Sequence, residues 1–355
     1  MFTLVMTLNV KVGHAQSVGA EGAILMEQDS GRVIFEKNAH TQAKIASITK
    51  IMTAIIAIEH GVLDEKVKVS KNAINQEGSS IYLQENESIT LENLIYGLML
   101  RSGNDSAVAI AEHIGGSEEG FVYLMNQKAE QLGMEDTQFS NPHGLDDGDK
   151  HFSTPFDMAL LTRYAMKNST YRKISSTKKH TFNRGKMKQV WNNKNKLLTE
   201  KYSFTTGGKT GFTKKSGRTL VTTATKDGMD WIVVTLNSHD DWNEHIQLYE
   251  YGAKNYKNYE IIPEGKIHYM TDDKYYINNP LIYPLKESEK EEITVQYQMF
   301  EKERYGENHH VGMAVVHLKE EAVLEEPIYL ERQVKEEKNW WKKLKNFIKN
   351  MVRYG

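Results

Sequence analysis

The chain has 355 residues, enough for a large core and, as a prior, for two domains. Hydrophobic residues make up 39% and charged residues 26%, as in ordinary globular proteins, and a net charge of −2 gives nothing global that points to nucleic acid. There is no cysteine, which excludes disulfides, thiolate nucleophiles and cysteine-based metal sites.

Met1 to Val12 is mostly apolar and is followed by the small residues Gly13-His14-Ala15, a pattern like the apolar core and cleavage site of a secretory signal without its basic start. Residues 1–17 are therefore read as the remnant of such a segment, the alternative being a frayed strand. Glu21 to Glu27 and Arg32 to Glu36 read as strands joined by the turn Asp29-Ser30-Gly31. Ser47 to Glu59 reads as a helix stopped by Gly61. It is apolar on nearly every face, so it belongs inside a core.

Three more helices are expected: Thr90 to Leu100 with Thr90 as cap, Asp105 to Ile114, and Ser117 to Leu132. Thr154-Pro155 opens a fifth, to about Lys167, with proline at the first helical position. Leu220 to Thr225 and Trp231 to Leu236 read as strands around the turn Asp227-Gly228, and Asp241 to Tyr256 returns to a helical period. This is an α+β layer, helices against an antiparallel sheet, over residues 18–257. After Pro263 short β-like runs follow at Lys266 to Met270, Ile293 to Met299, Val311 to Leu318 and Ile328 to Leu330, giving a small all-β domain over 258–331.

In the last segment, 332–355, Trp340, Trp341, Leu344, Phe347, Ile348, Met351 and Val352 recur at helical spacing. Residues 338–355 carry six cations and no acid, which leaves −8 on the rest. A basic amphipathic helix lying on a membrane surface is expected; docking on the second domain is the alternative. No run of about 18 apolar residues occurs, so no spanning helix is expected.

Ser-x-x-Lys occurs at Ser47, Ser175 and Ser176. Only Ser47 opens a buried helix, where Lys50 falls one turn along the same face. A neutral lysine there could take the seryl proton, and both burial and a second cation would keep it neutral. A capping serine beside a snorkelling lysine is the bland alternative. Ser175 and Ser176 sit in a polar, lysine-rich stretch without helical period.

Ser-x-Asn occurs at Ser70-Lys71-Asn72, which reads as a helix cap, and at Ser102-Gly103-Asn104 between two helices. There Ser102 could relay a proton, and Asn104 could bond a substrate amide or Lys50. Lys-[Ser/Thr]-Gly occurs at Lys209-Thr210-Gly211 and at Lys215-Ser216-Gly217. The second reads as a solvated turn. In the first, Gly211 would let a substrate lie along a strand. Lys209 would supply a cation for a carboxylate, and the backbone N–H groups of Ser47 and Phe212 would form an oxyanion hole.

In order and spacing these three motifs resemble the serine penicillin-recognising enzymes. Over roughly residues 20–330 the chain is similar to the low-molecular-mass penicillin-binding D-alanyl-D-alanine carboxypeptidases, most of all to the sporulation subtype acting on spore cortex. Arg101 to Asp105, Asn141-Pro142-His143-Gly144-Leu145 and Gly207 to Thr213 support the likeness. The resemblance implies the penicillin-binding, β-lactamase-like fold. It also implies Ser47 as acyl-ester nucleophile, Lys50 as proton acceptor, and Ser102 and Asn104 completing the relay. Lys209, Thr210, Gly211 and Phe212 would bind substrate, with Lys194 as a further basic contact. Ile45 and Phe212 depart from the family's usual proline and its polar, Tyr or His residue.

The implied substrate is a peptidoglycan peptide ending in D-Ala-D-Ala. β-Lactams would be covalent inhibitors, no cofactor or metal would be needed, and the enzyme would be exported to the outer face of the membrane. A β-lactamase or DD-endopeptidase of the same fold, or a non-catalytic scaffold, are the alternatives. No Glu-x-x-x-Asn arrangement lies between Ser102 and Lys209, which weighs against a class A β-lactamase.

Overall fold

The computed structural model describes residues 18–146, 150–267, 275–301 and 310–330. The expected signal remnant and the basic terminal helix lie outside the described residues. The chain divides into two units, Met1–Tyr256 and Lys257–Gly355.

In the first unit the elements in chain order are β1 (Gly22–Glu27), β2 (Val33–Lys37), α1 (Lys50–His60), β3 (Lys66–Lys68), α2 (Lys71–Ile74), β4 (Ser88–Thr90) and α3 (Leu91–Tyr96). They continue with α4 (Asn104–Gly115), α5 (Glu118–Gln131), α6 (Pro155–Lys167), α7 (Ser169–Ser175), β5 (Lys179–Arg184) and β6 (Met187–Asn192). The unit closes with β7 (Thr205–Thr213), β8 (Gly217–Lys226), β9 (Met229–Leu236) and α8 (Asp241–Asn255).

Five antiparallel strands form the main sheet in the order β2-β1-β9-β8-β7, so β7 lies at an edge. Both faces of its centre are covered. Ile24, Met26, Ile232 and Val234 pack with the helices around α1, whereas Leu25, Trp231 and Val233 pack with Leu248 and Tyr249 of α8. Alternate side chains of a strand point to opposite faces, so these strands read as continuous apolar runs. The residues of α1 from Lys50 to Ala57 are all buried, as its all-round apolar sequence requires.

Two helix starts and ends differ from the sequence reading. The helix expected from Ser47 begins at Lys50, and Ala46–Thr49 form a tighter 3-10 turn before it. The left-handed φ of 50° at Ala46 turns the chain sharply there. The helix expected over Thr90 to Leu100 is α-helical only to Tyr96, with Thr90 Oγ1 capping the Asn93 amide as foreseen. It then widens into a π turn, Gly97–Arg101, that ends at left-handed Ser102. The strand pairs β3–β4 and β5–β6, and the helix α7, were not read from the sequence.

In the second unit, β10 (Lys257–Ile262) pairs with β13 (Leu281–Leu285). A five-stranded sheet has the order β11 (Gly265–Lys266), β12 (Tyr276–Ile277), β16 (Glu321–Tyr329), β15 (His310–Leu318) and β14 (Ile293–Met299). Ile267, Ile277, Val311, Val316 and Ile328 form its core. The strand read at Ile328 to Leu330 begins at Glu321, hidden by Glu325, Glu326 and Pro327. The strand read at Lys266 to Met270 is described only as far as Lys266, and residues 268–270 lie outside the described set. Among the described residues no helix is long and apolar enough to cross a membrane.

Candidate active site

Three distant stretches meet at one cavity of about 590 Å³, lined among others by Ser47, Ser102, Lys194, Thr210 and Phe212. Ser47 is half-buried on the 3-10 turn, with its hydroxyl at the cavity, while Lys50, one turn on, is fully buried. Lys50 Nζ lies 3.0 Å from Ser47 Oγ, 2.7 Å from Asn104 Oδ1 and 2.5 Å from the His143 carbonyl oxygen. Asn104 is fixed in this orientation because its Nδ2 donates to the Glu77 carbonyl at 2.5 Å.

Burial first, then the cations Lys209 and Lys194, hold the Lys50 amine well below the usual lysine range, with Asp105 opposing. Lys209, buried on β7, donates to Ser102 Oγ at 3.0 Å and to the Thr210 carbonyl at 2.7 Å. Burial, then Lys194, pushes its amine down to about 7. Lys194 Nζ donates to Ser79 Oγ at 3.1 Å.

Close approach of β7 to the nucleophile turn depends on Gly211. A Cβ on it would sit 2.9 Å from the Ser47 amide nitrogen and 3.1 Å from that of Ile48, and would overlap Thr219 Oγ1. Phe212, the next residue, is exposed at the mouth. The strand itself is held from below. Ser175 Oγ accepts from the Gly208 amide at 2.9 Å, and Asn195 Nδ2 donates to the Gly207 carbonyl at 3.3 Å. Ser175 is thus the buried end of α7, not part of an irregular polar stretch as its sequence suggested. Ser70 is the N-cap of α2, and Lys215 is exposed in the β7–β8 turn, so the second copies of both motifs stand apart from the cavity.

The stretch Asn141 to Leu145, which in the sequence supports only the family likeness, holds part of the site. Here its His143 carbonyl accepts from Lys50 and its Pro142 carbonyl from Thr53 Oγ1, at 2.6 Å. Gly144 has a φ of 85°, and a Cβ there would overlap the Ala46 carbonyl oxygen. That oxygen accepts from Thr49 Oγ1 at 2.8 Å, and Thr49 Oγ1 lies 2.8 Å from His151 Nε2. His151 Nδ1 accepts the Ser140 amide at 3.1 Å, so the neutral ring carries its proton on Nε2 and donates to Thr49. A buried chain from His151 through Thr49 thus pins the left-handed residue just before Ser47. No short motif announces it.

Asp105 was likewise unassigned. Its carboxylate accepts from the amides of Ile81, Leu83 and Ser106 and from Ser80 Oγ, which fastens the segment carrying Ser79 beside the cavity. At the other end Arg218 forms a forked ion pair with Asp241 and lies over the Trp242 ring. Asp241 is the sole acid among the described lining residues.

The pattern of the D-alanyl-D-alanine carboxypeptidase family matches residues 9–240, well over half of the chain. The chain belongs to that family. It is 33% identical over 249 residues to the D-alanyl-D-alanine carboxypeptidase DacF of Bacillus subtilis, covering 69% of this chain and 64% of the relative. To DacC of Escherichia coli it is 35% identical over 255 residues, covering 68% of this chain and 63% of the relative. The aligned part therefore spans a little under two thirds of these carboxypeptidases. Among solved structures, penicillin binding protein 5 of Haemophilus influenzae superposes with a TM-score of 0.75 at 25% identity, over 90% of this chain and 98% of that one. The α+β fold, with an all-β sheet following the catalytic-type unit, is that of the penicillin-binding proteins.

Proposed function

We propose that the protein is a serine D-alanyl-D-alanine carboxypeptidase that removes the terminal D-Ala from peptidoglycan pentapeptides through an acyl ester on Ser47. The observation that carries this is the set of neighbours around Lys50. Asn104 Oδ1 and the His143 carbonyl can only accept hydrogen bonds. A neutral amine has two hydrogens, which those two oxygens take. Its lone pair is then left facing the Ser47 hydroxyl at 3.0 Å. Burial and the flanking cations favour that neutral state.

In this reading the Ser47 proton passes to Lys50 as Oγ attacks the carbonyl carbon of the penultimate D-Ala. The oxyanion is met by the backbone N–H groups of Ser47 and Phe212, drawn together by Gly211. The C–N bond then breaks, and the leaving amine takes the proton that Lys50 received, relayed through Ser102, whose oxygen is held by Lys209; Lys50 is neutral again. Lys209, with Thr210, faces the carboxylate of the departing residue. Water next cleaves the ester, returning Ser47 and releasing the shortened peptide.

A penicillin would enter by the same attack and stay longer, since the cavity lining offers one described carboxylate, Asp241, and Arg218 already holds it. That favours a carboxypeptidase over a β-lactamase. A wall substrate implies export, and the basic terminal segment suits a peripheral hold on the outer membrane face. Likeness to DacF fits the sporulation subtype.

The deciding experiment is intact-protein mass spectrometry after penicillin treatment with peptide mapping, beside an assay of D-Ala release from a short D-Ala-D-Ala peptide. One lasting adduct on Ser47, and loss of both activities in Ser47→Ala, are expected. Survival of either activity in that variant would overturn the proposal, and rapid penicillin turnover would move the assignment to a β-lactamase.

A further inference from the structure

From residue 158 to residue 199 the chain holds eleven lysines and arginines and no aspartate or glutamate, within a protein of net charge −2. The fold gathers part of this excess on the β5–β6 hairpin. Its inner face is apolar: His180 stacks on Tyr96 at 3.7 Å, and Phe182 packs against Trp191. Its outer face carries exposed Lys179 and Lys188, with Lys186 exposed in the turn and Lys178 at the base. Two cations nearby are compensated, Arg184 by Glu87 and Lys173 by Glu92. The four named lysines have no carboxylate partner among the described residues. The platform is therefore anchored by its aromatic side and positively charged on its open side.

This surface leads to the cavity. The Asn193 amide donates to the Lys178 carbonyl at 2.8 Å, closing the base of the hairpin, and the next residue, Lys194, lines the cavity together with Ser47. Lys196 lines it too. In the β5–β6 register Lys188 faces Asn183, four residues from Lys179, so these two charges stand about 13 Å apart along the strand. Charges spaced in this way suit a ligand with repeated carboxylates better than one with a single terminal carboxylate.

We propose that the hairpin is a docking surface for the polymeric wall strand itself, binding carboxylates of peptides next to the one being trimmed. This rests on the carboxypeptidase reading and adds to it a preference for polymer over free peptide. Complementary charge acts mainly on encounter and is weakened by salt.

The test compares the full chain with the variant Lys178→Glu, Lys179→Glu, Lys186→Glu, Lys188→Glu. Each is sedimented with insoluble peptidoglycan stripped of attached phosphodiester polymers, and D-Ala release is measured on that polymer and on a short peptide. The variant is expected to lose roughly tenfold in polymer affinity and in polymer kcat/KM at low salt, with short-peptide kcat/KM unchanged. Raising salt should bring the native chain down to the variant's level. Equal sedimentation and equal polymer turnover would overturn the proposal. So would a loss seen only with unstripped wall or with anionic lipid vesicles, which would make the partner a phosphodiester polymer or a membrane. Should the fourfold variant fail to fold, Lys186→Gln with Lys188→Gln, both at exposed positions, gives the same comparison with a smaller expected loss. If the native chain releases no D-Ala from the short peptide, the carboxypeptidase reading fails, while sedimentation still reports on the surface.

Discussion

His151 Nε2 lies 2.8 Å from Thr49 Oγ1, and with Nδ1 already taken by the Ser140 amide it has to donate there. Thr49 Oγ1 in turn donates a hydrogen bond to the carbonyl of Ala46, one residue before Ser47. His151 is thus a positioning residue. Replacing it by Ala should slow acylation by penicillin roughly tenfold, the scale of a lost orienting contact of about 1.4 kcal/mol. His151→Gln, whose amide can donate, should recover part of the rate. The check is second-order acylation kinetics with melting temperature measured in parallel; equal rates in all three proteins would remove the role.

Lys50 is read as the base. Lys50→Met should lower the acylation rate by about 10² to 10⁴, the usual contribution of a positioned proton acceptor; methionine keeps the buried stem packed but leaves Asn104 Oδ1 and the His143 carbonyl without their donor, so melting temperature is measured alongside. Stopped-flow or gel-based labelling with a fluorescent penicillin measures this. A rate within threefold of native would exclude Lys50 as acceptor.

Gly211→Ala tests the backbone approach. The added methyl must displace either β7 or the amides of Ser47 and Ile48, which it would meet at 2.9 and 3.1 Å. Loss of one oxyanion donor costs about 10² to 10³ in rate. An acylation defect of that size with cooperative unfolding retained is expected. Native acylation would show that the approach is not needed.

Stability should depend on pH through three buried neutral rings. Burial pushes His143, His151 and His245 down to about 3 from the ordinary 6.5. Below pH 6.5 the unfolded chain binds protons that the folded rings refuse. Stability is therefore full above 6.5 and is lost as pH falls toward 3. The slope is at most about 1.4 kcal/mol per pH unit for each ring. Urea midpoints at pH 7.5, 6 and 5 should fall in that order, and His245→Gln should flatten the trend. Equal midpoints would show that the rings are not held neutral.

Much of the fold was legible because burial writes itself into composition. The helix from Lys50 onward is apolar on every side, and the strands Leu220 to Thr225 and Trp231 to Leu236 are rich in β-branched residues. Of the residues expected at the site, Ser47 and Ser102 line one cavity, with Lys50 and Asn104 hydrogen-bonded behind Ser47 and Lys209 hydrogen-bonded to Ser102. What stayed hidden depends on tertiary contact. The hairpin at Lys179 to Asn192 has polar and charged residues on its open face, and its apolar face becomes visible only against Tyr96. Ser175 looks like surface until β7 is laid over it. Asp105 and His151 act through backbone groups, which have no sequence signature of their own.

The left-handed backbone at Ala46 has an evolutionary consequence. A residue with a Cβ gives up about 1 kcal/mol in that conformation, and glycine would not. Selection of variants for heat resistance alone should accordingly drift toward Ala46→Gly, and the slackened loop would present its hydroxyl less faithfully. An alanine at this position thus exchanges some robustness for a firmly held nucleophile.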